Sequence, residues 1–241
     1  MSILTDDRKK ELKTNYHLLK KRIAEAEKSA GRLPNSVRIV AVSKNFPASD
    51  VELLNEIGHT LFGENRVQEL VAKAEEVARL GLAIDWHMIG TLQTNKVKDV
   101  IGRVSLIESA DRIRVLNTIE RHAKALSLTQ EVLIQVNVSG EATKSGFTLK
   151  DAEDVVLQAD RWPHVRIRGL MTMAPYEENP EKTRPIFAAL RELLDTLKKK
   201  TGREDLNELS MGMTNDYIEA IKEGSTIVRV GSAIFGTRTY T

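Results

Sequence analysis

The chain has 241 residues, enough for one or two domains and for a core that needs no disulfide or structural metal. It contains 36 Lys+Arg and 34 Asp+Glu, a net charge of +2. Because nucleic-acid and membrane-surface proteins usually carry basic blocks, we expect neither kind of partner. The absence of cysteine excludes disulfides, thiolate metal sites and cysteine nucleophiles. The five histidines lack the spacing of a zinc site, so we expect no metal.

The ends and linkers of the chain give no sign of export or of division into domains. The N-terminal segment has no apolar stretch of signal-peptide length, and no run approaches the eighteen or so apolar residues of a membrane span. No linker rich in serine, glycine or proline interrupts the sequence. We therefore expect a cytoplasmic protein with a single domain over residues 1–241.

The first segment predicts a helix over about residues 5–30, because its apolar residues recur at steps of four and three. These residues are Leu12, Tyr16, Leu19, Ile23, Ala26 and Ala30. Gly31 and Pro34 then end the helix.

Eight apolar or β-branched runs follow, and helical patterns separate them. The predicted strands are 38–43, 60–62, 84–89, 104–108, 132–137, 166–171, 208–211 and 226–230. The predicted helices are 50–58, 66–80, 93–102, 112–126, 149–160, 180–200 and 214–223. This alternation indicates right-handed βαβ units in a parallel sheet. Eight units in a chain of this length favour an α/β fold, a single (β/α)8 barrel of the TIM type with an extra N-terminal helix. A doubly wound open sheet is the alternative, but its GxGxxG fingerprint is missing.

A lysine follows the first predicted strand, where barrel enzymes place functional groups. Lys44 comes after the apolar run 39–42 and Ser43. Desolvation at such a rim favours a neutral, nucleophilic amine, which Schiff-base formation requires. The alternative is an exposed lysine paired with a neighbouring loop, as most lysines are.

The loops after the seventh and eighth strands carry the parts of an anion site. Ser210 and Thr214 supply hydroxyl groups in the first loop, and Gly231 and Ser232 form a small-residue turn in the second. Barrels commonly bind phosphate at this pair of loops. The alternative is that the glycines are ordinary turn residues.

Three further polar residues lie at strand ends or within apolar strands. Arg229 needs a buried partner, which is either a carboxylate or a ring nitrogen of a ligand. Asn65 and His87 either contact a flat ligand or satisfy hydrogen bonds in the core. A Schiff-base lysine opposite a phosphate site predicts an aldehyde that carries a phosphate. Pyridoxal 5′-phosphate (PLP) and phosphorylated sugar aldehydes are the two candidates.

Six motifs carry a family resemblance that extends from about residue 12 to residue 238. They are RIVAVSKNFP (38–47), FGENRVQEL (62–70), WHMIGTLQTNKVK (86–98), IQVNVSGEATKSGF (134–147), GLMTMAP (169–175) and LSMGMTNDYIEAIKEGSTIVRVGSAIFGTR (209–238). The sequence resembles the pyridoxal phosphate homeostasis protein family, also called the proline synthetase co-transcribed family. That family is similar to the N-terminal barrel of alanine racemase, fold type III of PLP enzymes.

The resemblance implies a role for each candidate residue. Lys44 matches the Schiff-base lysine, and Arg229 matches the arginine that faces the pyridine nitrogen. Asn65 and His87 match positions near the ring. The residues that match the phosphate cradle are Ser210, Thr214, Gly231 and Ser232. The sequence departs from the family at Thr214, which is more often serine, and at Met88, which is often aromatic or leucine.

The implied function is PLP homeostasis with little or no catalysis, in which the protein passes PLP to PLP-dependent apo-enzymes. We expect a monomer. A cation beside the ring nitrogen disfavours its protonation, which weakens the ring as an electron sink. Alanine racemase compensates with a lysine and a tyrosine, and the resemblance implies that the tyrosine comes from a second domain absent here. Since one acid/base group contributes about 10²- to 10⁴-fold, we expect low or no racemase activity. A PLP-dependent racemase and a Schiff-base aldolase acting on a sugar phosphate remain alternatives.

Overall fold

A computed structural model describes residues 4–141 and 143–236. In this part of the chain eight parallel strands pair in sequence order, and the first also pairs with the last, so the sheet is a closed barrel. The predicted α/β barrel is therefore confirmed. The strands are β1 (Arg38–Val42), β2 (Leu61–Glu64), β3 (Asp85–Met88), β4 (Leu106–Ala110), β5 (Gln130–Gln135), β6 (Val165–Met171), β7 (Glu208–Ser210) and β8 (Ile227–Val230).

Helices surround the barrel, and one of them precedes the first strand. The α-helices are α1 (Asp6–Ser29), α2 (Ala48–Glu56), α3 (Val67–Arg79), α4 (Ile113–Ala125), α5 (Leu149–Leu157), α6 (Arg184–Thr201), α7 (Tyr217–Lys222) and α8 (Ser232–Phe235). Three 3₁₀ helices span Thr94–Asp99, Ala159–Arg161 and Pro180–Thr183. None of the helices in the described part of the chain is both long enough and apolar enough to cross a bilayer.

The N-terminal helix follows its sequence pattern closely. The Thr5 hydroxyl caps α1 by accepting from the amide of Arg8, and the helix buries Leu12, Leu19 and Ile23. This apolar face packs against α2, α7 and α8. The helix therefore covers the outside of the barrel where β8 meets β1.

Several predicted helices differ in kind or in their bounds. The segment 180–200 begins with the 3₁₀ helix Pro180–Thr183, and the helix predicted over 50–58 begins two residues earlier, at Ala48. The segment 93–102 forms a 3₁₀ helix over Thr94–Asp99. The helix predicted to begin at Thr214 begins at Tyr217, because the Asp216 carboxylate accepts the amide of Met213 at 2.6 Å and holds a non-helical turn. That turn lies on the side of the barrel where the candidate residues meet.

Apolar side chains fill both sides of the strand wall, as alternation along strands requires. A large cluster lies between the strands and the helices. A smaller one, inside the barrel, consists of Val40, Val42, Leu61, Leu106, Leu133, Met171 and Ile227. The barrel is thus a packed support for the loops at the carboxyl ends of its strands.

Candidate functional site

A cavity of about 710 Å³ opens at the carboxyl ends of the strands. Six of the eight predicted site residues line it: Lys44, Asn65, Thr214, Arg229, Gly231 and Ser232. Ile89, Gln135 and Met173 also line it. A second cavity, of about 650 Å³, lies near the start of β6 and the end of α6, away from the predicted residues.

The loop that carries Lys44 is held by a buried ionic network. The Lys73 ammonium donates to the carbonyl of Ser43 at 2.6 Å and to the carboxylates of Glu64 at 2.6 Å and Glu69 at 2.8 Å. The Ser43 hydroxyl donates to Glu64 at 2.6 Å, and the amide of Asn45 donates to Glu69. The residues before and after Lys44 are therefore both fixed.

Glu64 is fully buried within this network. Burial raises the pKa of its carboxyl, although the charge of Lys73 and its hydrogen bond act in the opposite direction. Within the described residues, its Oε2 atom has no hydrogen-bond partner. The positive charge of Lys73 therefore offsets the energetic cost of burying the Glu64 carboxylate beneath the loop that carries Lys44.

A second buried network lies under the cavity and ends at Arg229. The Arg229 guanidinium donates to the Ser210 hydroxyl at 2.5 Å and to the carbonyl of Thr172 at 2.8 Å. Ser210 donates to Glu108 at 2.6 Å, and His87 Nδ1 lies 2.6 Å from the other carboxylate oxygen. His87 and Ser210 thus lie beneath the cavity rather than on its lining.

Electrostatics favour a charged carboxylate in this network. Burial alone would raise the pKa of Glu108, but the hydrogen bond and charge of His87 and the charge of Arg229 hold that pKa below its usual range. An ionised carboxylate only accepts hydrogen bonds, so Nδ1 of His87 is the donor to Glu108. Burial lowers the pKa of Arg229, opposed by the charges of Glu108 and Asp216, and an arginine stays protonated.

The loop after β7 presents backbone donors to the cavity. Gly212 has φ +92°, and a Cβ there would lie 2.5 Å from that of Ala220, so the tight turn requires glycine. The amides of Thr214 and Asn215 donate to no group among the residues that the structure describes. Both residues line the cavity, facing the Gly231–Ser232 turn that begins α8. Such amides and hydroxyls suit an anion.

A close backbone approach positions Asn65. A Cβ on Gly90 would lie 2.1 Å from the Asn65 carbonyl oxygen, so only glycine allows the loops after β2 and β3 to touch. Gln135, at the end of β5, lines the cavity and donates to the carbonyl of Ser145 at 2.9 Å. Within the described residues no group of three or more acidic, histidine or cysteine side chains could hold a metal ion.

Sequence reasoning did not single out Glu108, Lys73 or Gln135. The signal for Glu108 was present, since it is an acidic residue at the end of an apolar run, as Arg229 is a basic one. The carboxylate partner left open for Arg229 is Glu108, and Arg229 also lines the cavity. Lys73 carried no such signal, because it lies within an ordinary amphipathic helix.

Comparison with known proteins shows the family. Residues 11–239 match the family described as "Alanine racemase, N-terminal domain". The "Pyridoxal phosphate homeostasis protein" of Aquifex aeolicus is 43% identical over 219 residues, which cover 91% of this chain and 95% of that protein. The chain belongs to the pyridoxal phosphate homeostasis protein family. The resemblance carried by the six sequence motifs is thus confirmed.

Two solved structures of similar sequence share the fold over most of this chain. A protein from Bifidobacterium adolescentis, described only as unknown, has a TM-score of 0.92 and 37% identity, and the match covers 98% of both chains. PipY of Synechococcus elongatus PCC7942, in a structure with PLP bound, has a TM-score of 0.78 and 35% identity. That match covers 89% of this chain and all of PipY.

Proposed function

We propose that this protein binds PLP, holds it as a Schiff base on Lys44, and acts in intracellular PLP homeostasis as a carrier. The strongest support is that Lys44 lines the same cavity as the loops after β7 and β8, whose amides and hydroxyls suit an anion. Relatives covering most of this chain are named for PLP homeostasis, and PipY has been solved with PLP bound. Bound PLP would supply an aldehyde that condenses with an amine.

The residues of the cavity fit the three chemical parts of PLP. Lys44 supplies the amine that would condense with the aldehyde. Its loop is fixed by Lys73 and by the carboxylates of Glu64 and Glu69. The amides and hydroxyls of the β7 and β8 loops suit the phosphate, and the cavity volume of about 710 Å³ is ample for such a ligand. Arg229 would face the ring nitrogen, held directly by the Ser210 hydroxyl and paired with Glu108, which His87 contacts in turn.

The composition of the cavity favours holding PLP over transforming an amino acid on it. Among the described lining residues there is no tyrosine, histidine, aspartate or glutamate, and the titratable side chains are Lys44, Arg66 and Arg229. Racemisation needs an acid/base group on each face of the substrate, and Lys44 supplies one. Arg229 beside the ring nitrogen would further weaken carbanion stabilisation.

As a carrier, the protein would act as a monomeric, cytoplasmic PLP-binding domain that gives PLP to PLP-dependent apo-enzymes. The cavity is open at the rim, which leaves a route for the cofactor to depart. A PLP-dependent racemase of the alanine racemase type is the second candidate, because the family description names that enzyme's N-terminal domain.

Two assays separate the carrier from the racemase. PLP-loaded protein is incubated with common L-amino acids in deuterated buffer, and loss of the α-hydrogen signal is followed by NMR. We expect no exchange beyond that of free PLP, and reactivation of an added apo-enzyme as PLP leaves the protein. Exchange accompanied by formation of the D-enantiomer, with both lost in Lys44→Ala, would instead establish the racemase.

A further inference from the structure

The N-terminal helix contacts α2 and α8, the elements that follow the two loops that would hold the ends of PLP, and it does so through Arg8. One guanidinium nitrogen of Arg8 lies 2.5 Å from the carboxylate of Asp50 in α2, which directly follows the Lys44 loop. The other donates to the carbonyl of Phe235, at the end of α8, at 2.9 Å. Arg8 therefore bridges elements that are far apart in sequence and adjacent across the β1–β8 seam.

Two aromatic rings complete this bridge. Phe46, two residues after Lys44, stacks on Phe235 with ring centroids 4.9 Å apart and planes inclined by 22°. The Arg8 guanidinium lies 5.5 Å from the centre of the Phe46 ring. Asn15, two turns further along α1, donates to the carbonyl of Ile234 at 3.1 Å. Helix α1 thus holds the last carbonyls of the short helix that begins at Ser232.

The bridge matters because Lys44 and the Gly231–Ser232 turn lie on the same cavity. A ligand bound at two ends gains most affinity from the second contact when the distance between the two sites is already fixed. Asp50 is almost completely buried, with 1% of its side chain exposed, so its ion pair with Arg8 is shielded from solvent. Both loops are therefore tied to a single rigid helix.

We propose that Arg8 is a positioning residue that fixes the Lys44 loop relative to the phosphate-side turn. This inference rests on the proposed function, since it concerns the two ends of PLP. Arg8 touches neither end itself. Its contribution is to let the aldehyde and phosphate contacts form together, and its loss would uncouple them.

The test compares PLP with pyridoxal, which has the aldehyde and lacks the phosphate. Affinities for both are measured by absorbance titration in the wild type, Arg8→Met and the matched control Lys10→Met, which makes the same change at an exposed position of α1. We expect Arg8→Met to bind PLP about tenfold more weakly while its pyridoxal affinity changes less than twofold. Lys10→Met should match the wild type for both ligands.

The ratio of the PLP affinity to the pyridoxal affinity distinguishes a positioning role from general destabilisation. General damage to the Lys44 loop would weaken the binding of both ligands in proportion and leave this ratio unchanged. An unchanged ratio, or an unchanged PLP affinity, would overturn the proposal. Phe46→Leu keeps an apolar side chain but removes the stacking, and it should also lower this ratio. It tests the proposal if Arg8→Met does not fold. A wild-type protein that does not bind PLP would instead overturn the proposed function.

Discussion

The guanidinium of Arg229 lies 3.7 Å from the carboxylate of Glu108, and at most 4% of either side chain is exposed. The Ser210 hydroxyl lies between them, accepting from Arg229 and donating to Glu108. The Arg229 guanidinium, which reaches the cavity, is therefore paired on its buried side with the fixed carboxylate of Glu108. This arrangement lets the protein keep a charged arginine in an apolar barrel without leaving its charge unpaired.

Glu108→Gln should destabilise the apo-protein strongly, because it leaves Arg229 buried without an opposite charge. Removing one partner of a buried ion pair typically lowers the free energy of unfolding by about 3–5 kcal/mol. Urea denaturation measures the change, with the exposed Glu192→Gln as a control that we expect to stay close to the wild type. A loss below about 1 kcal/mol for Glu108→Gln would contradict the ion-pair interpretation.

Lys73→Met should weaken both the fold and PLP binding. The substitution leaves the buried carboxylate of Glu64 without its ammonium partner and frees the carbonyl of Ser43. We expect the free energy of unfolding to fall by about 3 kcal/mol and the absorbance titration to show weaker PLP binding. Lys199→Met, at an exposed position of α6, is the matched control. PLP affinity equal to that of the wild type would show that this network does not position Lys44.

The stability of the protein should fall with acidification because of a buried histidine. His59 Nε2 faces the carbonyl of Leu61 at 2.7 Å and so carries the proton, while Nδ1 accepts from the Tyr16 hydroxyl at 3.0 Å. Burial lowers the pKa of His59 from 6.5 to about 4. Between these values the unfolded chain binds the additional proton, so the free energy of unfolding decreases as the pH falls from about 6.5 to about 4.

The size of that decrease follows from the shift and amounts to about 3 kcal/mol. Carboxyl groups titrate in the same range, so the measurement is the difference between the wild type and His59→Gln in urea denaturation at several pH values. We expect the free energies of unfolding of the two proteins to diverge as the pH rises from 4 to 7, and their difference to stay constant above pH 7. The exposed His17→Gln should follow the wild type, and parallel curves for His59→Gln throughout would refute the assignment.

The barrel could be predicted from the sequence because each strand is a short apolar run followed by a helical pattern. The residues that line the cavity were also predictable in part, since Lys44 and Ser232 directly follow strands whose carboxyl ends meet at one face. His87 and Ser210 lie within β3 and β7 and stay beneath the cavity, whereas the longer side chains of Arg229 and Gln135, which also lie within strands, reach its lining.

The supporting contacts could not be predicted, because they join residues distant along the chain. Glu108 and Arg229 meet only when the barrel closes, and Arg8 reaches Phe235 across 227 positions of sequence. The start of α7 was wrong for a local reason. The sequence predicts that the helix begins at Thr214, but the Asp216 carboxylate stabilises a turn there instead and leaves the loop amides facing the cavity.

The Schiff base between Lys44 and PLP is tested by the visible spectrum of the protein, saturated with PLP and then freed of unbound PLP, before and after borohydride. We expect a yellow band that disappears on reduction and leaves the mass of a pyridoxyl group on the peptide containing Lys44. The Lys44→Ala variant should show neither the band nor the adduct. A wild-type protein that is colourless after this treatment, or an adduct on a different lysine, would contradict PLP binding at Lys44. A colourless protein would instead favour phosphorylated sugar aldehydes as ligands.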